Sequence, residues 1–438
     1  MTLKSWLRQV SSLKKAKQGV LFMRQKSKFK VMHKIAKNTV FLSVAQVIGR
    51  LIGFFYFLLL ARFLGVATFG VYNFTIAFVY NFIPVADFGL ERLVLRDISR
   101  KPEKTGFYLA RLLPLRLLLS LGAYLLVLLL GIVLRQSWIQ IGYLALFGLF
   151  IFPYSFTYLL TSFLNAKEKM KYMAMAVVFG QLAVFIIGIT FVLLKFPLAI
   201  IFLAGFLASS VVALIFLLKA KAWGLSLGWV IDKKFFLKAL SQSWAFAVLL
   251  ILAVFYIRTS LILVGLLKGD YYTGLYGSAF KFVEAMILIP QSLALALFPL
   301  SSRLLLKDKK RLEKVYQKGL AVLFLFSLPF VLVLGLLPRL IIGLAYGQEY
   351  LQAAPVLALL GASLILFFLN ALPGNIIQNS PQFKKFLPWA FLNFLVILVL
   401  CLILIPRYSI VGAAWAVIGG EVVGLIINNL FVWRILKK

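Results

Sequence analysis

Histidine and cysteine are almost missing from this chain: His33 and Cys401 stand alone among 438 residues. A single cysteine, set inside an apolar run, excludes an intrachain disulfide. So few imidazoles and thiols leave no ligand set for a His- or Cys-based metal centre, and no cofactor is expected. Acid is scarce as well, with 12 Asp and Glu against 47 Lys and Arg, a net charge of +35. Extended polar stretches are confined to the N-terminal tail and short connections, which excludes an ordinary soluble domain. What remains is apolar: 63% of residues are hydrophobic, 13% are charged, and mean hydropathy is +1.02. The apolar runs are continuous rather than alternating, so a β-barrel is excluded and an all-α polytopic membrane protein is expected. The positive charge lies in short runs between apolar segments, which argues against a nucleic-acid partner.

Twelve spans are expected, near 39–61, 69–91, 107–134, 139–165, 172–194, 197–218, 240–266, 272–302, 319–338, 351–378, 386–405 and 409–433. With the N-terminus assigned to the cytoplasm, 36 Lys and Arg fall in inward segments, six in outward ones and five within spans. That alternation is the positive-inside pattern of a multi-pass protein in the cell (inner) membrane with both termini cytoplasmic. Residues 1–37 hold eleven Lys or Arg and no acid. They read as a basic cytoplasmic tail, either bound to anionic lipid or merely solvated, and Met32 is an alternative start.

Gly65–Val79 aligns without gaps to Gly269–Val283, matching Gly65 with Gly269, Gly70 with Gly274 and Tyr72 with Tyr276. The offset of 204 residues pairs span one with seven and span two with eight. An even number of helices per half makes the repeat parallel. The expected organisation is the tail at 1–37, an N-terminal six-helix lobe at 38–218, a cytoplasmic linker at 219–238 and a C-terminal six-helix lobe at 239–438.

Polar residues form stripes on otherwise apolar helices. Span one carries Ser43, Gln46, Arg50 and Gly53 at three-and-four spacing, and Arg50 sits near mid-span. A cation there costs roughly 2.5–3.5 kcal/mol on insertion scales unless it faces water or a partner. Span two carries Asn73, Ala77, Tyr80, Pro84, Asp87 and Glu91 along one expected face, with a kink expected at Pro84. Asp87 and Glu91 are alternatively a helix end paired with Arg92 or Arg96. Arg258 in span seven has no acid three or four residues away. Lys281 and Glu284 in span eight lie one turn apart and could neutralise each other. Arg116 and Ser120 share a face of span three, while the shallower Arg111 reads as a snorkelling cation. Polar residues of span four (Tyr154, Tyr158, Thr161, Asn165) and span ten (Asn370, Pro373, Gly374, Gln378) read as helix–helix contacts.

The runs LLLARFLGVATFGVYNF and ADFGLERLVLRDISR resemble the opening of Wzx-type polysaccharide biosynthesis proteins, oligosaccharide flippases of the multidrug/oligosaccharidyl-lipid/polysaccharide (MOP) exporter superfamily. GLYGSAFKFVEAMILIPQSLALALFPLSSRL and IIGLAYGQEYLQAAPVLALL resemble later motifs of the same family. The resemblance implies two six-helix lobes in a V, with a central cavity lined by the first two helices of each. It departs from the family at Arg258-Thr259-Ser260, where relatives often carry an acidic neighbour.

The expected cationic, substrate-binding residues are Arg50, Arg258, Lys281 and Arg116, with Gln46, Asn73, Tyr80, Asp87 and Glu284 as polar lining. Buried cations outnumber buried acids, which favours an anionic cargo: an undecaprenyl-pyrophosphate-type oligosaccharide lipid. The alternatives are an antiporter of drugs or other small molecules from the same superfamily, and a membrane polymerase or ligase. No enzyme activity is expected. Membrane lipids, and a polysaccharide polymerase or glycosyltransferases, are the expected partners.

Overall fold

The computed structural model describes residues 3–380 and 382–437; for residues 3–40, 43, 288, 295, 296, 298, 299, 306 and 379 it describes the backbone path alone. The side chains of the basic tail therefore lie outside the description. Every regular element among the described residues is helical. In order these are α1 (Leu3–Tyr80), α2 (Ile83–Asp87), α3 (Leu90–Arg100), α4 (Thr105–Val133), α5 (Trp138–Gly148), α6 (Ile151–Ala166), α7 (Lys171–Leu193), α8 (Leu198–Lys219), α9 (Lys233–Lys268), α10 (Asp270–Met286), α11 (Leu288–Lys307), α12 (Lys309–Leu336), α13 (Pro338–Tyr346), α14 (Ala354–Asn379) and α15 (Phe383–Lys437), with 3₁₀ turns at Pro102–Lys104 and Gln348–Ala353.

Nine segments among the described residues are long and apolar enough to cross a bilayer. Two of them are double. The helix α1 turns back at Gly65, whose φ of 72° and ψ of 168° suit glycine and almost nothing else. Sixteen residues of straight helix would separate Tyr56 from Tyr72 by about 24 Å, yet their hydroxyls are 3.3 Å apart. Likewise α15 reverses at Ser409 (φ 52°), bringing Gly412 against the Leu404 carbonyl. With α10 and α11 added, helices stand at each of the twelve expected spans. The exposed surface is rich in Leu, Ile, Val and Phe, as a lipid-facing wall requires.

The 204-residue repeat is visible as a local two-fold axis. A Cβ on Gly70 would strike the Asp270 carbonyl, and one on Gly274 would strike the Val66 carbonyl. Those two contacts interchange under the repeat offset, as do the pairs Tyr72–Tyr56 and Tyr276–Ser260, the latter with a hydrogen bond of 2.9 Å. The second limb of α1 and α10 thus cross backbone to backbone, running the same way. Gly269 (φ 84°) repeats the Gly65 turn.

Side contacts follow the charge pattern. Lys167 and Lys169 donate to the carbonyls of Gly224 and Trp223, and Arg111 pairs with Asp232 at 3.1 Å, all at the end rich in basic loops. At the opposite end Arg62 donates to Ala345 (2.7 Å) and Leu344, and Lys268 to Pro406. Apart from Arg111, which stands near the start of α4, each contact joins two connections expected on the same side.

Span two departs from the expected single kinked helix. Pro84 cannot donate to Tyr80, and the chain breaks there into a turn, the five residues of α2, and α3 after Phe88 and Gly89 at positive φ. The expected stripe therefore ends at Tyr80. Glu91 belongs to α3, an amphipathic helix with Leu90, Leu93, Val94 and Ile98 buried.

Candidate functional site

The expected site residues separate into two groups. At the first, α10 presents Glu284 as a branch point. Its Oε2 accepts from Lys281 Nζ at 2.8 Å and its Oε1 from Arg258 Nη2 at 3.3 Å. Arg50, on the first limb of α1, lies within electrostatic range of the same carboxylate. The Arg258 guanidinium stands 5.3 Å from the Tyr80 ring and Lys281 Nζ 4.2 Å from the Phe57 ring, so both cations rest on aromatic faces of α1. Two cations pair with one carboxylate and a third stands within its electrostatic range, leaving two positive charges. Arg50 is exposed, and Arg258, Lys281 and Glu284 are partly so. The cluster joins residues from both halves of the repeat: Arg50, Phe57 and Tyr80 from one, Arg258, Lys281 and Glu284 from the other.

The second group is buried in the first half. Arg116 of α4 forms an ion pair with Asp87 through Nη1, and Asp87 also accepts from Gly89 N at 3.1 Å. Both charged side chains are more than nine-tenths buried. Glu91 accepts from the Tyr158 hydroxyl at 2.8 Å. The expectation that Arg116 and Asp87 share one cavity with Arg50 and Arg258 is thus not what this arrangement gives: they neutralise each other within another helix packet. Asp87 pairs with Arg116 rather than with Arg92 or Arg96, and Arg96 turns to Asp97 (2.7 Å) and Gln242, while Arg92 stays within electrostatic range of Glu91.

Asn73 is buried at the α1–α10 crossing, where a Cβ on Gly277, its mate in the repeat, would meet its amide. Gly53 packs toward Gln181 of α7, so the stripe of span one divides between that helix and the Arg50 side; Gln46 is half-buried. Of the polar residues read as helix contacts, Asn370 acts as one: it donates to Glu421 Oε2 at 2.8 Å and accepts from Asn428. Sequence reasoning missed the Arg258–Glu284 pair, whose partners are 26 residues apart, and missed Phe57 and Tyr80 as seats for cations. The repeat offered a signal for Tyr80, since 204 residues separate it from Glu284.

The family model for polysaccharide biosynthesis proteins matches residues 35–305. An uncharacterized membrane protein of Methanocaldococcus jannaschii is 27% identical over 263 residues, covering 55% of this chain and 51% of that protein. The chain thus spans about half the length of that curated relative. Solved structures agree more widely. An inward-facing multidrug resistance MATE family transporter of the MOP superfamily superposes with a TM-score of 0.75 at 14% identity, over 91% of this chain and 99% of that one. Lipid II flippase MurJ, inward closed, gives 0.72 at 16% over 90% and 87%. A MOP superfamily transporter from Pyrococcus furiosus gives 0.67 at 18% over 92% and 97%. With its fold shared by MOP superfamily transporters and more than half its length matched by the family model, the chain belongs to the polysaccharide biosynthesis protein family.

Proposed function

We propose that this protein is a flippase, moving an undecaprenyl-pyrophosphate-type oligosaccharide lipid across the cytoplasmic membrane by alternating access, for assembly of surface polysaccharide. In this reading both termini are cytoplasmic and the two six-helix lobes divide at 219–238. The observation that carries it is the Arg50–Arg258–Lys281–Glu284 cluster, which joins the two halves and keeps a surplus of two positive charges. A pyrophosphate cannot cross hydrocarbon unaided, and guanidinium groups match phosphate geometry. The lipid tail stays in the bilayer, so only the head group needs the cluster. Transport without bond chemistry is enough, and the polymerase reading has no outward catalytic loop to rest on.

One observation favours an antiporter of cations: the buried carboxylate of Glu421, held by Asn370. That group lies between α14 and α15 rather than at the junction of the halves, so the anionic cargo is preferred. The test is binding of polyprenyl pyrophosphate against uncharged polyprenol by the purified protein. The pyrophosphate binds more tightly, and Arg258→Ala weakens it by about tenfold or more, the worth of a hydrogen bond to a charged group. Equal affinity for the two lipids contradicts the proposal.

A further inference from the structure

A cavity of about 420 Å³ opens on the outer wall of the first half, between α4, α6, α8 and the connection before α9. Most of its lining is apolar, including Leu117, Phe152, Leu217 and Leu227. Arg116, Ser120 and Ser155 form its polar part, and the Ser120 hydroxyl already donates to the Arg116 carbonyl. Arg116 and Ser155 are nearly sealed from solvent, at 2% and 1% exposure. Yet Nε and Nη2 of Arg116 and Oγ of Ser155 have no hydrogen-bond partner. Buried donors are ordinarily satisfied, and each one left over costs about 1–3 kcal/mol.

The roof of the cavity is built by a proline. Pro114 has no N–H for the carbonyl of Ala110, four residues before it, and Val230 N of the connection takes that carbonyl at 2.9 Å. A Cβ on Gly228 would press on Ala110, so glycine permits the close pass. This pins Leu227, Gly228 and Trp229 across α4, with Leu227 and Trp229 exposed. A tryptophan at that position suits the membrane–water boundary. Arg116 lies six residues further along α4, about 9 Å deeper. A membrane boundary at Trp229 puts this depth below the head groups, at the upper part of the acyl chains.

The charge at this depth narrows the occupant. Nη1 of Arg116 is committed to Asp87, and Glu91 also lies within electrostatic range, so the site carries no surplus of positive charge. The remaining Nε–H and Nη2–H point the same way, as the side-on fork of a guanidinium. The site offers donors, no surplus of positive charge and an apolar trough. We propose that it holds one diacyl glycerolipid of the surrounding bilayer, an acyl chain in the trough and an ester carbonyl accepting from the free fork of Arg116. The site is separate from the cationic cluster and does not depend on the transport reading.

The test is lipid retention by the full-length purified protein, read by native mass spectrometry. The probes are diacyl phosphatidylcholine, diacyl phosphatidylglycerol and the dialkyl ether analogue of phosphatidylcholine. The two diacyl lipids bind alike, and both exceed the ether lipid by about fivefold, the worth of a carbonyl acceptor. Leu117→Trp on α4 and Leu227→Trp on the connection before α9 each remove the ester preference. Retention unchanged in both variants overturns the site. An ether lipid bound as tightly as the ester overturns the carbonyl contact. A tenfold preference for phosphatidylglycerol would mean that a phosphate occupies the fork, and overturns the neutral assignment.

Discussion

Glu284 holds two cations on its two oxygens, one from its own helix and one from α9. Because the side chains are 22–31% exposed, each pair contributes little to stability, on the order of 1 kcal/mol. Under the proposed function its larger effect is to fix Arg258 and Lys281 where an incoming anion can displace or share the carboxylate. Glu284→Gln should therefore lower thermal stability slightly while leaving polyprenyl pyrophosphate affinity equal or higher, whereas Arg258→Ala lowers affinity. Calorimetric binding on the two variants separates these signs. The Lys281–Glu284 half of this arrangement was legible as a three-residue spacing. The Arg258 half was not, because the acid comes from a neighbouring helix, and the same limit hid the Arg116–Asp87 pair. Asp232, outside the spans, offers a pH handle. The Phe235 N–H and the Arg111 guanidinium hold its carboxyl below the ordinary range. Its stabilisation is thus present above the unfolded value near pH 4 and fades as pH falls through the lower folded value. Amide protection at Val230 should decline in that acidic window in the wild type, and an Asp232→Asn variant should show no such pH dependence.

Among the elements, the crossing of α1 and α10 is the tightest junction between the halves. Gly70 and Gly274 bring backbone to carbonyl, a contact that no side chain can enter without pushing the helices apart. Gly70→Ala should cost about 1–3 kcal/mol in thermal unfolding. Gly335→Ala, with nothing within 4 Å of the new Cβ, should change stability little or raise it. Equal effects for the two would remove the crossing from the account. The spans themselves were legible, since continuous apolar runs need no tertiary information. Their interruptions were not: Phe88 at φ 48° and the gaps between α5 and α6 and between α10 and α11 leave hydropathy unchanged. The repeat fared better, because glycine at Gly65 and Gly269 marks a backbone conformation directly.

For the molecule as a whole, charge sets orientation. Reporter fusions after Lys37 and at Lys438 should both report the cytoplasm, and opposite sides would require an odd number of crossings. An inside-negative potential then favours outward movement of an anion by about 2.3 kcal/mol per charge per 100 mV. The two halves meet at the basic end, where Arg96 donates to Gln242 and Gly89 passes against Ser243, and at the opposite end they are joined by the Gly70–Gly274 crossing, Arg62 and the Tyr350 hydroxyl, which donates to Ala61. Under the proposed function, release at that opposite end requires its contacts to part. The most direct measurement is translocation in proteoliposomes: a fluorescent polyprenyl-pyrophosphate oligosaccharide is placed in one leaflet and its appearance in the other is followed. The wild type should move it, the Arg50→Ala/Arg258→Ala double variant should fall to the rate of empty vesicles, and Gly335→Ala should match the wild type. Wild-type rates from the double variant would contradict the assignment of the cationic cluster to the cargo.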